Sequence, residues 1–143
     1  MVTNHTGITR HERKNYEVFK ENPNLTLKKI FAPEHGFFGE ASAGAKVDYD
    51  NANEIGTEII SLYGKDRKPT ADMMKGLDVI IYDIQDIGSR FYTYISTLGL
   101  VMEAAGENGI EVIVLDRPNP IGGEIVEGPI LDTTYKSFVG YYP

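Results

Sequence analysis

Glu34 is the residue of this sequence hardest to account for by folding alone. It stands between Pro33 and His35, with Phe31, Phe37 and Phe38 close by, and a carboxylate there gains nothing obvious for stability. Apolar rings that exclude water favour the protonated acid, the form a general acid must hold near neutral pH. Other chemistry-bearing residues fall in short groups: Asn4-His5-Thr6-Gly7, Asp83-Ile84-Gln85-Asp86, Arg90 with Tyr92 and Tyr94, and Asp116-Arg117-Pro118-Asn119. Asp83, Asp86 and Asp116 offer a second carboxylate to work with Glu34, and Tyr92 or Tyr94 offers a phenol. Arg90 and Arg117 offer planar forks suited to a carboxylate. His5, His35, Asp83 and Asp86 together supply mixed nitrogen and oxygen metal ligands, although their spacing is not diagnostic of a metal.

Each of these residues also has an ordinary use. Asn4, Thr6 and Asp83 can cap helices or brace turns, Asp86 can cap the helix that follows Gly88-Ser89, and Arg90 can be a surface charge on it. His35 can be a hydrogen-bonded loop residue. Taken singly, those uses are the commoner ones.

The elements around these groups give them a common address. β-Branched runs over 26–31, 58–62, 78–83 and 111–115 read as strands and alternate with helix-length segments, the pattern of βα units and a mostly parallel sheet. The last two runs are near-continuously apolar, as strands covered on both faces are. A helix is expected over 90–107, with Phe91, Ile95, Leu98, Met102 and Ala105 forming its apolar stripe and Asn108-Gly109 ending it. Weaker helices are expected over 11–21, around Tyr16 and Phe19, and over 71–75, entered through Thr70 and ended by Gly76. Ligands of an open parallel sheet bind beyond the carboxyl ends of its strands. Asn4 to Gly7, Pro33 to Gly36, Tyr63-Gly64, Asp83 to Asp86 and Asp116 to Pro120 all follow strands, so the polar groups share one rim.

Composition narrows the classes. With 143 residues, 41% of them hydrophobic, the chain has the length of one domain and material for a core. Net charge is −7, which repels phosphate backbones and speaks against a nucleic-acid partner. There is no cysteine, so disulfides, thiolate metal sites and cysteine nucleophiles are excluded. No apolar run approaches the ~20 residues of a membrane span. No G-x-G-x-x-G follows a strand, Gly39 to Lys46 misses the P-loop because Ala45 separates glycine from lysine, and G-x-S-x-G is missing. No cofactor is expected.

Two long segments, 33–57 and 117–143, contain repeated glycines and, in the second, four prolines. Long loops of this kind usually build sites. Only Met1-Val2-Thr3 precede Asn4 where a strand of ~5–6 residues is expected, and no helix or strand closes the end. The expectation is a piece of a longer, two-domain protein, with an α/β core over 1–116 and a loop-rich segment over 117–143 leading toward a C-terminal domain.

The chain resembles the family of NamZ-type exo-β-N-acetylmuramidases, formerly a domain of unknown function. The resemblance rests on Val2-Thr3-Asn4-His5-Thr6-Gly7, Pro33-Glu34-His35-Gly36-Phe37, Ser61-Leu62-Tyr63-Gly64, Asp83 through Tyr94, and Leu115-Asp116-Arg117-Pro118-Asn119-Pro120, in that order. It continues through Glu127-Gly128-Pro129 and Ser137-Phe138-Val139-Gly140. It implies a Rossmann-like three-layer α/β domain and an exo-acting glycosidase that releases non-reducing terminal N-acetylmuramic acid from peptidoglycan fragments. Such an enzyme works outside the cytoplasm, with its site in a cleft between this domain and a second one. On that reading Glu34 is the acid, and Asp86 and Tyr92 are candidates for the second catalytic group. Asn4, His5, Thr6, His35, Asp83, Gln85, Arg90, Tyr94, Asp116, Arg117 and Asn119 contact the saccharide. The alternatives are a non-catalytic peptidoglycan- or sugar-binding module, which needs no protonated carboxyl, and a metal-assisted hydrolase, which needs the histidines and aspartates together.

Overall fold

The computed structural model describes residues 1–42, 45 and 55–142. Five strands, β1 (Val2–Thr3), β2 (Lys29–Ala32), β3 (Glu58–Ser61), β4 (Val79–Asp83) and β5 (Glu111–Val114), form one sheet in the order β3-β2-β1-β4-β5. Every pairing is parallel, as the strand–helix alternation predicts. The chain winds one way through β1, β2 and β3 and the other way through β4 and β5. Its direction therefore reverses between β1 and β4, where loops leave the sheet on diverging courses and open a crevice. Register puts Thr3 beside Asp83 at this point, and Thr3 Oγ1 donates to the Asp83 carbonyl at 2.8 Å.

Central strands are buried because both faces are covered. Val2, Ile30, Phe31 and Ile80 have no accessible surface, and Val2, Phe31, Ile80 and Tyr82 join Leu62, Met74, Tyr94 and Val101 in one core. A second cluster, on Ile30, Ala32, Phe37 and Ile59, takes in Tyr16 and Leu27. β5 departs from expectation: Ile113 and Val114 are 42% and 43% exposed. Its apolar run suggested a strand covered on both faces, but β5 is the sheet's edge. Strand β2 begins at Lys29 rather than Thr26, where pairing with Glu58 of β3 begins.

Three helices cover the sheet. Helix α1 (Asn15–Glu21) starts later than expected because Glu12 takes a left-handed φ of 61° and an antiparallel bridge joins Ile8 to Lys14. Helix α2 (Ala71–Met74) is capped as predicted, Thr70 Oγ1 accepting from the Met73 amide at 3.3 Å. Helix α3 (Tyr94–Asn108) ends at left-handed Gly109. It begins four residues after Arg90, since Tyr92 closes a turn on the Ser89 carbonyl at 2.9 Å. Its buried stripe matches the expected one only in part, at Ala105, which is buried, and Leu98, which packs against the core. Tyr94, Thr97, Leu100, Val101, Ala104 and Ala105 face the core, while Phe91, Ile95 and Met102 are 70%, 45% and 51% exposed. The helical period is right, and the buried face is turned toward Thr97, Val101 and Ala104 rather than Ile95 and Met102.

Beyond β5 most described residues are exposed. The exceptions fasten the segment down. Phe138 is 7% exposed and packs against Tyr63, with ring centroids 5.9 Å apart. Tyr142 lies on α3 at Gly99, where a Cβ would fall 2.0 Å from its hydroxyl, and donates to Glu103 at 3.0 Å.

Candidate functional site

The rim beyond the strands' carboxyl ends carries two neighbouring hydrogen-bonded groups. One starts at Asn4, which follows β1 into the crevice and is 3% exposed. Its Nδ2 donates to the Tyr94 hydroxyl at 3.0 Å, and its Oδ1 accepts from the Thr6 amide at 2.9 Å and Thr6 Oγ1 at 2.6 Å. Thr6 Oγ1 in turn accepts from the Gln85 amide at 3.0 Å, lacing the loop after β1 to the loop after β4. Gly7 closes the first loop by donating to the Asn4 carbonyl at 3.0 Å. A Cβ on Gly7 would fall 2.2 Å from Thr3 Oγ1, so only glycine allows this turn. Tyr94 is 2% exposed and meets the Tyr92 ring edge-on at 4.6 Å. Burial, followed by the neighbouring Tyr92, pushes the Tyr94 phenol far above its ordinary value and keeps it a neutral hydroxyl.

The second group centres on Glu34. Pro33 leads from β2 into a tight turn in which the Gly36 amide donates to the Pro33 carbonyl at 3.0 Å. His35 takes φ 68° in that turn, a left-handed conformation costly for a residue with a Cβ and usually given to glycine. Glu34 is 8% exposed, and its Oε2 accepts from Thr93 Oγ1 at 2.6 Å. The Tyr63 hydroxyl, just beyond β3, also hydrogen-bonds to Glu34, and this bond is the main cause raising the Tyr63 phenol above its ordinary value. The Glu34 charge also helps to raise the Tyr94 phenol, so the two groups are electrostatic neighbours. A hydroxyl both donates and accepts. If Glu34 is protonated it can donate to the same oxygens, so this surrounding accommodates the acid and its conjugate base.

Other predicted site residues hold the loops. His35 Nδ1 lies 2.9 Å from the Ala41 carbonyl, which assigns the proton to that nitrogen. The exposed ring of His5 lies against Gly39, where a Cβ would meet His5 Nδ1 at 2.1 Å. Gln85 Nε2 donates to the carbonyls of Asp86 and Pro118 at 2.7 and 3.0 Å. Asp86 Oδ1 accepts from the Gly88 amide at 2.7 Å, and Asn119 Oδ1 accepts from the Ile121 amide at 3.2 Å. Asp116 and Arg90 are exposed.

Asp83 and Arg117 form a brace. Asp83 has no accessible surface; Arg117 Nε bonds its Oδ1 at 2.7 Å, and Asn15 Nδ2 donates to its Oδ2. Arg117 Nη2 donates to the Ile8 carbonyl at 3.0 Å. The pair thus ties the segment after β5 to β4 and the loop before α1. Among the described residues no three His, Asp or Glu side chains converge as a metal site. Gly44 and Lys46, the end of the near P-loop stretch, lie outside the described residues.

Tyr63 and Thr93 belong to the site although their types and spacing alone do not mark them as site residues. Tyr63 carried the signal of following a strand on the polar rim. Thr93 had none beyond its place between two tyrosines.

A parallel α/β domain with a buried carboxyl held by hydroxyls at its carboxyl rim is thus in hand. The chain belongs to the family described as "Exo-beta-N-acetylmuramidase NamZ, N-terminal", which matches residues 1–143. It is 49% identical, over its whole length, to the peptidoglycan beta-N-acetylmuramidase NamZ of Bacillus subtilis (strain 168), and covers 34% of that protein. Two crystal structures of DUF1343 family proteins from Bacteroides fragilis NCTC 9343 share the fold. One has a TM-score of 0.88 at 48% identity, with 98% of this chain and 35% of that chain covered. The other has a TM-score of 0.76 at 41% identity, with 97% and 35% covered. The chain therefore spans about a third of the length of these relatives.

Proposed function

We propose that this chain supplies the acid-bearing domain of an exo-β-N-acetylmuramidase that removes terminal N-acetylmuramic acid from peptidoglycan fragments. The observation that carries this reading is Glu34 at 8% exposure, held by Thr93 and Tyr63 beyond the end of β2. Support also comes from the name of the Bacillus relative. Glycoside cleavage needs a proton for the leaving oxygen and a second group at the anomeric carbon. Glu34 gives the proton to the glycosidic oxygen, after which its carboxylate accepts from the two hydroxyls. Asp86 and Tyr92, near the crevice between β1 and β4, are the proposed source of the second function. His5, Thr6, His35 and Gln85 on this rim bind the sugar, the buried Asn4–Tyr94 pair holding their loops in place, with the rest of a two-domain protein closing the cleft. A cell-wall substrate implies an extracytoplasmic enzyme serving wall turnover and recycling.

The test is Glu34→Gln in the full-length protein carrying this chain, assayed on a natural muramyl disaccharide and on a nitrophenyl glycoside. The fold and binding should persist, and turnover on the disaccharide should fall by the ~10²–10⁴ typical of acid–base catalysis. The nitrophenyl substrate, whose leaving group needs little protonation, should lose less. Near-full activity on the disaccharide would remove Glu34 from the role.

A further inference from the structure

A cleft of about 470 Å³ opens between α3 and the end of the chain, lined by Arg67, Lys68, Leu100, Lys136, Phe138 and Tyr141. It gathers three cations in a chain of net charge −7. Lys68 is answered by Glu107 at 2.7 Å and Glu103 at 3.6 Å. The other two sit over aromatic faces. Arg67 Cζ is 4.6 Å from the Phe138 ring centre and 5.5 Å from that of Tyr63, and Lys136 Nζ is 4.2 Å from that of Tyr141. None of the ion pairs among the described residues uses Arg67 or Lys136. A guanidinium on a ring face is oriented without giving up its N–H donors, so an anion can still take them in pairs.

We propose that this cleft is a carboxylate-binding subsite, in which Arg67 recognises the acidic lactyl group of the sugar whose glycosidic bond Glu34 protonates. The inference rests on the glycosidase reading and supplies its selectivity. Tyr63 makes the connection, since its ring lies under Arg67 and its hydroxyl bonds Glu34. A carboxylate on Arg67 is therefore one side chain away from the acid. Arg117 is poorly placed for this work, because Nε and Nη2 are held by Asp83 and the Ile8 carbonyl. Arg90 is the competitor: its Cδ lies 3.8 Å from where a Cβ on Gly140 would stand, beside the Ser137–Gly140 bridge that carries Phe138.

The experiment compares Arg67→Lys and Arg67→Met with the parent, in the full-length protein carrying this chain, on nitrophenyl glycosides of N-acetylmuramic acid and N-acetylglucosamine. Losing a bidentate, charge-assisted contact should raise KM for the muramic substrate about 10-fold for Lys and about 100-fold for Met. The kcat for the muramic substrate should hold, and cleavage of the glucosamine substrate, whether slow or absent in the parent, should not change. No shift in the Met variant, an equal shift on both sugars, or selectivity that follows Arg90→Lys instead would overturn the assignment. If the parent cleaves neither sugar, the glycosidase reading fails, and calorimetric titration with free N-acetylmuramic acid against N-acetylglucosamine still decides the subsite. Arg67-dependent binding of the first alone sustains it, and binding that is absent or indifferent to Arg67→Met ends it.

Discussion

Thr93 Oγ1 and Glu34 Oε2 lie 2.6 Å apart although the residues are 59 positions apart in the chain. The contact joins the start of α3 to the turn after β2, across the strand order rather than along it. Thr93→Val keeps the shape and removes the hydroxyl, leaving a buried carboxyl with one partner fewer. Turnover of the full-length protein should fall roughly 10-fold, the scale of one hydrogen bond to a charged group, and Thr93→Ser should recover most of it. Unchanged turnover in the Val variant would show that this bond does not serve the reaction.

The Asp83–Arg117 brace predicts a stability effect. Asp83 has no exposure, and two of its bonds come from Arg117 and Asn15. Arg117→Met strands a buried charge and should cost about 3–5 kcal/mol in urea unfolding. Asp83→Leu combined with Arg117→Met should recover much of this loss, because the unpaired charge is then gone.

Much of the fold was legible because it depends on local pattern. Runs such as Val79 to Asp83 declare a buried strand, and the rule placing ligands beyond strand ends puts Asn4, Glu34 and Gln85 on one rim. Strand order is not a local property, so the exposure of β5 at the sheet edge could not be read from Val112-Ile113-Val114. Neither could the buried stripe of α3, where Thr97 does work that pattern reading assigns to Ile95. The partners of Glu34 are hidden from pattern for a similar reason. Phe31 and Phe37 are its sequence neighbours, but Thr93 and Tyr63 reach it through topology. Asp83 had the same chemical signature as a ligand-binding carboxylate and differs only in the Arg117 that folding brings to it.

Gly7 should tolerate no side chain. A Cβ there meets Thr3 Oγ1 at 2.2 Å and the backbone oxygens of Asn4 and Asp83 at 3.3 Å. Gly7→Ala should lower stability by roughly 1–3 kcal/mol, the range for overpacking. It should also shift the Asn4 side-chain amide resonances in NMR spectra, since the same turn presents Asn4 to Tyr94. Unmoved resonances would separate the turn from the site.

Alkaline titration should release the end of the chain. Burial first, then the bond to Glu103, pushes the Tyr142 phenol from about 10 up to about 12. The folded form thus holds a proton that the unfolded form gives up, so this contribution is complete below pH 10 and declines as pH rises toward 12. Absorbance titration of the parent minus Tyr142→Phe should show a late phenolate step near 12. Tyr142→Phe should also flatten the fall of thermal stability over that interval, and a difference step near 10 would contradict the docked geometry.

The left-handed backbone at His35, φ 68°, sets folding and function against each other at one position. Glycine would relieve the strain there, so a selection for heat resistance alone should enrich His35→Gly. The same exchange deletes the imidazole that fastens the turn to Ala41 beside Glu34. Stabilised descendants of this domain that carry glycine at this position should melt higher and work more slowly, and engineering for robustness is best directed elsewhere on the rim.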